Sequence, residues 1–85
     1  MKQFEYTVND PLGIHARPAG MLAKEAKKYT CVCTLTKEGT TVKASQLMKL
    51  MSLAVKQGDT GTVAAEGEDE DTAIAALKAF FEANL

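Results

Sequence analysis

The succession of strand-type and helix-type patterns leaves few folds open to this chain. Four short stretches alternate apolar and polar side chains with a period of two, as half-buried strands do: residues 3–8, 31–36, 40–43 and 60–66. Three others repeat apolar residues at helical spacing: residues 16–28, 45–53 and 69–85. The order β-α-β-β-α-β-α predicts one α+β domain over residues 1–85, with a four-stranded antiparallel sheet and three helices packed on one face.

Composition excludes several functional classes. The 85 residues are 46% hydrophobic, which argues against disorder, and their formal net charge of −1 gives no reason to expect a nucleic acid or an anionic membrane as the main partner. No apolar run approaches the roughly 18 residues of a transmembrane helix, and residues 1–5 lack the features of a signal peptide. We therefore expect a cytoplasmic protein, and nothing in the sequence demands more than a monomer.

The only histidine lies in the stretch GIHARPAG, residues 13–20. A proline three residues after His15 fits the first turn of a helix, where its missing N–H leaves no bond unmade. His15 is therefore expected at the helix N-terminus, where free backbone N–H groups and the helix dipole favour an anion against the ring. Arg17 adds a planar, permanently charged group for phosphate oxygens. The sequence thus suggests a histidine that accepts a phosphoryl group.

The first helix has a buried stripe and a basic face. The apolar stripe consists of Ala19, Leu22, Ala23 and Ala26. The opposite side carries Arg17, Met21, Lys24, Lys27 and Lys28. This basic face is either solvated surface or a docking surface, and its position beside His15 keeps the second interpretation open.

The second helix is apolar around most of its circumference. Ser45 is a possible N-cap, and Leu50 and Leu53 can serve the core. Leu47, Met48 and Met51 then fall on another side, either as further core or as an exposed patch whose methionines suit several partners.

In the last helix, the acidic run at residues 68–71 is interpreted as helix-start chemistry, with Asp69 as the N-cap, rather than as a metal site.

Cys31 and Cys33 are two positions apart, so on a strand they point to the same face. This spacing favours two buried core thiols in a reducing compartment over a disulfide. A metal site made with His15 is the alternative, but it has too few ligands at known spacings to be preferred.

The sequence resembles the HPr family, the histidine-containing phosphocarriers of the bacterial phosphoenolpyruvate-dependent sugar phosphotransferase system. The similarity rests on GIHARPA at residues 13–19, LMKLMSL at residues 47–53, QG at residues 57–58 and EGEDE at residues 66–70, and it covers essentially the whole chain. It implies an open-faced β-sandwich and a carrier rather than an enzyme, with no cofactor and no metal. His15 would take a phosphoryl group on Nδ1 from phosphorylated Enzyme I and pass it to EIIA domains of sugar permeases, with Arg17 screening the phosphate.

The same resemblance implies a docking face on the first two helices. Its residues would be Gly20, Met21, Lys24, Lys27, Leu47, Met48, Lys49 and Met51. A regulatory module with this fold but no role in sugar transport is the alternative function. The retained pair of His15 and Arg17 argues against it, because a module that only docks has no need of the histidine.

The chain departs from the family pattern in the second helix. Many members carry a regulatory serine, the target of HPr kinase, at the position occupied here by Gln46. Ser45 is adjacent, but its hydroxyl would point elsewhere, so regulation by this kinase is doubtful. Ala54 replaces a glycine found in many members, and we expect it to be tolerated if the backbone there is helical or extended.

Overall fold

A computed structural model describes all 85 residues, and it confirms the predicted order of elements. The strands and helices are β1 (Lys2–Thr7), α1 (Ala16–Ala26), β2 (Val32–Lys37), β3 (Thr40–Lys43), α2 (Leu47–Ser52), β4 (Thr60–Glu66) and α3 (Glu70–Asn84). The hairpin of β2 and β3 and the limits of β4 agree with the sequence pattern, whereas both predicted ends of α2 lie beyond the observed helix. No helix combines the length and apolarity needed to cross a membrane.

The four strands form one antiparallel sheet in the order β1-β4-β2-β3. Alternation along each strand separates the two faces of this sheet. Cys33, Leu35 and Val63 are buried on the inner face, as predicted, while Val32 and Thr34 point to the other side and are more accessible. The predicted open-faced sandwich is therefore confirmed.

The core lies between the inner face of the sheet and the helices. Phe81 of α3 is fully buried and meets Phe4 and Tyr6 of β1 in edge-to-face pairs, with ring centroids 5.9 and 5.4 Å apart. The predicted stripe of α1 is buried along its whole length, at Ala19, Leu22, Ala23 and Ala26. Because these sides of α1 and α3 are buried against the sheet, the opposite sides of both helices face solvent.

Two predicted helix caps differ from the structure. Ser45 is not the N-cap of α2, because the helix begins one residue later and Gln46 occupies that position without a side-chain cap. Asp69 does occupy the N-cap position of α3, but its carboxylate accepts hydrogen bonds from the amides of Thr30 and Cys31, both 2.9 Å long. Asp69 therefore joins the loop before β2 to α3 instead of capping its own helix.

The segment that follows α2 has an unusual backbone. Ala54 has φ +52°, in the left-handed region, so the condition under which alanine would be tolerated there is not met. Lys37 holds this segment against β2 by donating hydrogen bonds to the carbonyl of Ala54, at 2.9 Å, and to that of Leu53, at 3.4 Å. The same ammonium forms a 2.9 Å ion pair with Asp59. The segment is thus fixed although one of its residues is strained.

Candidate functional site

His15 lies at the N-cap of α1, as the sequence predicts. Its backbone is extended, with φ −99° and ψ −175°, and its imidazole does not cap the helix. The loop before His15 is fixed by its contact with the segment after α2. Ile14 is buried, and its amide donates a hydrogen bond to the carbonyl of Val55 at 2.9 Å. Gly13 has φ +67°, and a Cβ there would collide with the carbonyl oxygen of Val55. Glycine is therefore required for the loop to bring His15 to the helix start.

The first turn of α1 leaves backbone donors available beside the imidazole. The amide of Ala19 bonds to the carbonyl of His15 at 3.0 Å, and Pro18 has no N–H. The amides of Ala16 and Arg17 have no acceptor within the protein. Together with the positive end of the helix dipole, these two donors make the position beside His15 favourable for an anion.

A shallow pocket of about 250 Å³ opens at this helix terminus. It is lined by Asp10, His15, Arg17, Pro18, Met21 and Asn84. Arg17 is exposed and belongs to none of the ion pairs of the protein, so its guanidinium is free to meet an incoming anion. The structure therefore brings together the two residues that the sequence singled out, His15 and Arg17.

Two of the lining residues, Asp10 and Asn84, were not predicted from the sequence as part of the site. Asp10 belongs to the turn after β1, and its local pattern indicates only a loop. Asn84 arrives from the far end of the chain, because the carbonyl of Leu85 accepts a 2.9 Å hydrogen bond from the amide of Asp10. Helical and strand periodicity reports only local structure, so it could not reveal this long-range contact between a loop and a helix end.

The side of α2 formed by Leu47, Met48 and Met51 is exposed to solvent, which decides between the two interpretations in favour of an exposed patch. Met48 is 75% exposed, Met51 39% and Leu47 38%, whereas Leu50 and Leu53 are buried, as predicted. Met21 and Lys24 of α1 and Lys27 at its C-cap are exposed, and Gly20 is partly so. The two helices pack against each other, so the methionines and the lysines lie on neighbouring elements.

Comparison with known proteins assigns the family. The model described as "PTS HPr component phosphorylation site" matches residues 2–83. The Phosphocarrier protein HPr of Mycoplasma genitalium is 42% identical over 85 residues, covering 99% of this chain and 97% of that protein. The chain belongs to the HPr family. Among solved structures, HPr of Thermoanaerobacter tengcongensis has a TM-score of 0.93 at 36% identity, with 98% of this chain and 93% of that chain covered.

A second structure of a similar HPr bears on the oligomeric state. The HPr dimer from Thermoanaerobacter tengcongensis covers 98% of this chain and 95% of its own, with a TM-score of 0.78 at 36% identity. Dimers therefore occur among HPr relatives, and the expectation of a monomer is not confirmed for this chain.

The position that the family resemblance assigns to a regulatory serine is the N-cap of α2. Gln46 occupies it and is exposed. Ser45 is partly buried and lines a different depression, of about 220 Å³, together with Cys31, Cys33, Lys27 and Lys43. Ser45 and Gln46 therefore line different depressions, although they are adjacent in the chain.

The two cysteines are buried free thiols on the inner side of the sheet, as predicted, with their sulfurs 3.7 Å apart. Burial, reinforced by a hydrogen bond to Asp69, raises the pKa of the Cys31 thiol to about 12. His15 belongs to a different pocket, and no three His, Cys, Asp or Glu side chains come together as a metal-binding group. The geometry gives no support to the alternative of a Cys/His metal site.

Proposed function

We propose that this member of the phosphotransferase-system HPr family accepts a phosphoryl group on Nδ1 of His15 from phosphorylated Enzyme I. It then passes the group to EIIA domains of sugar permeases. The observation that supports this proposal most strongly is the shared pocket of His15 and Arg17 at an open helix N-terminus. The free thiols of Cys31 and Cys33 suit the reducing cytoplasm in which these partners would be met.

The chemistry requires little of the carrier beyond position and charge. In each transfer the bond between phosphorus and the donor atom breaks while the bond to the acceptor forms, and the surroundings stabilise the charge spread over the equatorial oxygens. The imidazole Nδ1 would serve as acceptor and then as leaving group. Arg17 and the amides of Ala16 and Arg17 would meet the oxygens. No residue is needed as a separate general acid or base.

We further propose that donor and acceptor use one docking surface on α1 and α2. Its residues are Gly20, Met21, Lys24, Lys27, Leu47, Met48, Lys49 and Met51. Exposed methionine side chains adapt to partners of different shape, and lysines beside them suit acidic rims. Complexes through such a surface should be small and transient, because the same face must be vacated for the next partner.

The proposal is tested with purified Enzyme I and phosphoenolpyruvate. We expect one acid-labile, base-stable phosphate per chain, and none in His15→Ala. Arg17→Glu should slow transfer while its thermal unfolding matches that of Lys78→Glu, an equal charge change at an exposed position on α3. Labelling of His15→Ala would show that another residue is the acceptor. A folded wild-type protein that binds the partners but takes no phosphate would identify a regulatory module instead.

Regulation by HPr kinase is a separate question, and we propose that it is absent. Gln46 offers no hydroxyl at the family position. Incubation with the kinase and ATP, followed by mass spectrometry, should find no phosphoserine. Phosphate at Ser45 would contradict this proposal.

A further inference from the structure

We propose that the carboxylate of Asp10 opposes the negative charge of a phosphoryl group on His15 and so raises the tendency of that group to move to the next protein. This inference rests on the proposed function. Its starting observation is that Asp10, which no sequence motif indicates, lines the same pocket as His15 and Arg17.

The carboxylate of Asp10 is held in a defined position. Its Oδ1 accepts a 2.8 Å hydrogen bond from the amide of Leu12, two residues along the chain. The carbonyl of Asp10 accepts a 2.9 Å hydrogen bond from the amide of Gly13, and its own amide donates to Leu85. Three bonds thus fix the residue, and the side chain is partly buried.

The charge of Asp10 is not neutralised by a neighbouring cation. None of the ion pairs of the protein includes Asp10, and the only other fully charged side chain on the pocket wall is Arg17. A phosphoryl group carries between one and two negative charges at neutral pH. Bound on His15, it would be attracted by Arg17 and by the first-turn amides, and repelled by Asp10.

This opposition suits a carrier. A pocket with cations alone would stabilise the phosphorylated form and hinder its release, since every attraction specific to the bound phosphate lowers the free energy of that form. One fixed carboxylate in a pocket of about 250 Å³ offsets part of the attraction. In a solvent-exposed pocket of this size, removal of the carboxylate charge should favour the phosphorylated state by about three- to tenfold.

The test is a competition for phosphate between two versions of the chain. Equal amounts of wild-type protein and isotope-labelled Asp10→Asn are mixed with catalytic Enzyme I and limiting phosphoenolpyruvate. Enzyme I transfers the phosphoryl group reversibly, so that the bond to one imidazole breaks as the bond to another forms. Mass spectrometry of the intact chains then gives the partition. Asparagine retains the Oδ1 acceptor for Leu12, so the turn is preserved.

We expect Asp10→Asn to hold about three- to tenfold more phosphate than the wild type at equilibrium. Asp10→Ser, whose hydroxyl can accept the same hydrogen bond, should shift the partition in the same direction. Glu5→Gln, an equal charge change on the exposed face of β1, should share phosphate evenly with the wild type.

Even sharing by both Asp10 variants, or a preference for the wild type, would overturn the inference while leaving the phosphocarrier function intact. A wild-type chain that acquires no phosphate would refute the proposed function and this inference together, so the two failures are distinguishable.

Discussion

The amide of Ile14 donates a 2.9 Å hydrogen bond to the carbonyl of Val55, and this contact joins the two halves of the candidate site. Ile14 precedes His15, while Val55 follows α2, which carries the exposed methionines. The backbone approach is so close that a Cβ on Gly13 would lie 2.7 Å from Cα of Lys56. The position of the imidazole is therefore coupled directly to that of the apolar surface.

Gly13→Ala should be strongly destabilising, because alanine adds a backbone clash to an unfavourable positive φ. We expect a loss of about 2–3 kcal/mol or more in the free energy of unfolding, measured by urea denaturation. Gly20→Ala is the matched control: it lies inside α1 with open space around its Cα, so it should gain about 0.5–1 kcal/mol. Equal stability of the two variants would mean that the loop does not need this close approach.

Ala54→Gly should stabilise the protein. Ala54 has a positive φ on an exposed residue, and an alanine in this conformation costs about 1 kcal/mol that a glycine does not. The same substitution at Ala75, an exposed position within α3, should cost about 1 kcal/mol because the backbone there is helical. Thermal and urea unfolding of both variants would measure this difference in sign, and a loss of stability in Ala54→Gly would contradict the observed backbone.

The fold and most of the site could be predicted from the sequence, but Ala54, Asp10 and Asn84 could not. Helical and strand periodicity located every element, and the spacing around His15 placed it at a helix start with Arg17 beside it. Periodicity did not resolve the left-handed backbone at Ala54, since this residue lies in the segment after α2, which Lys37 holds through long-range hydrogen bonds. It also missed Asp10 and Asn84, which meet only because the end of α3 packs beside the loop after β1. Long-range backbone contacts of this kind are decided by the packed fold.

Asp69 and Asp59 should support stability at neutral pH in different ways. Backbone amides, with that of Thr30 foremost, hold the pKa of Asp69 below its usual range, whereas the Lys37 ammonium does most to lower that of Asp59. A carboxyl whose pKa is lowered by folding contributes stability above its ordinary pKa of about 4, and that contribution is lost as the pH falls. Asp69→Asn and Asp59→Asn should therefore both be less stable than the wild type at neutral pH and approach it in acid.

The stability contributions of Asp59 and Asp69 should respond differently to salt. High ionic strength should reduce the cost of Asp59→Asn, because it screens the partly exposed ion pair with Lys37. It should leave the cost of Asp69→Asn nearly unchanged, because that carboxylate is held by neutral amides. Urea denaturation at low and high salt would measure this, and an equal salt response would contradict the assignment of partners.

The Cys31 thiol should make the fold sensitive to alkali. Its pKa is about 12 in the folded protein, while an unfolded cysteine ionises near pH 8.5. The unfolded chain therefore loses this proton first, so the stability due to the neutral thiol is present below about pH 8.5 and declines above it. Between about pH 8 and 10, under reducing conditions, the wild type should lose stability more steeply than Cys31→Ala. Parallel curves would show that the thiol is not shielded from water.

The central claim is that His15 holds a phosphoryl group which it then gives away. It is tested most directly by phosphorus NMR on the phosphorylated chain, freed of Enzyme I and phosphoenolpyruvate. We predict a single resonance from a phosphoryl group on Nδ1 of His15, which disappears when an EIIA domain is added and reappears on that domain without release of free phosphate. A resonance from any other residue, or one that stays on the chain in the presence of a competent EIIA domain, would contradict the account.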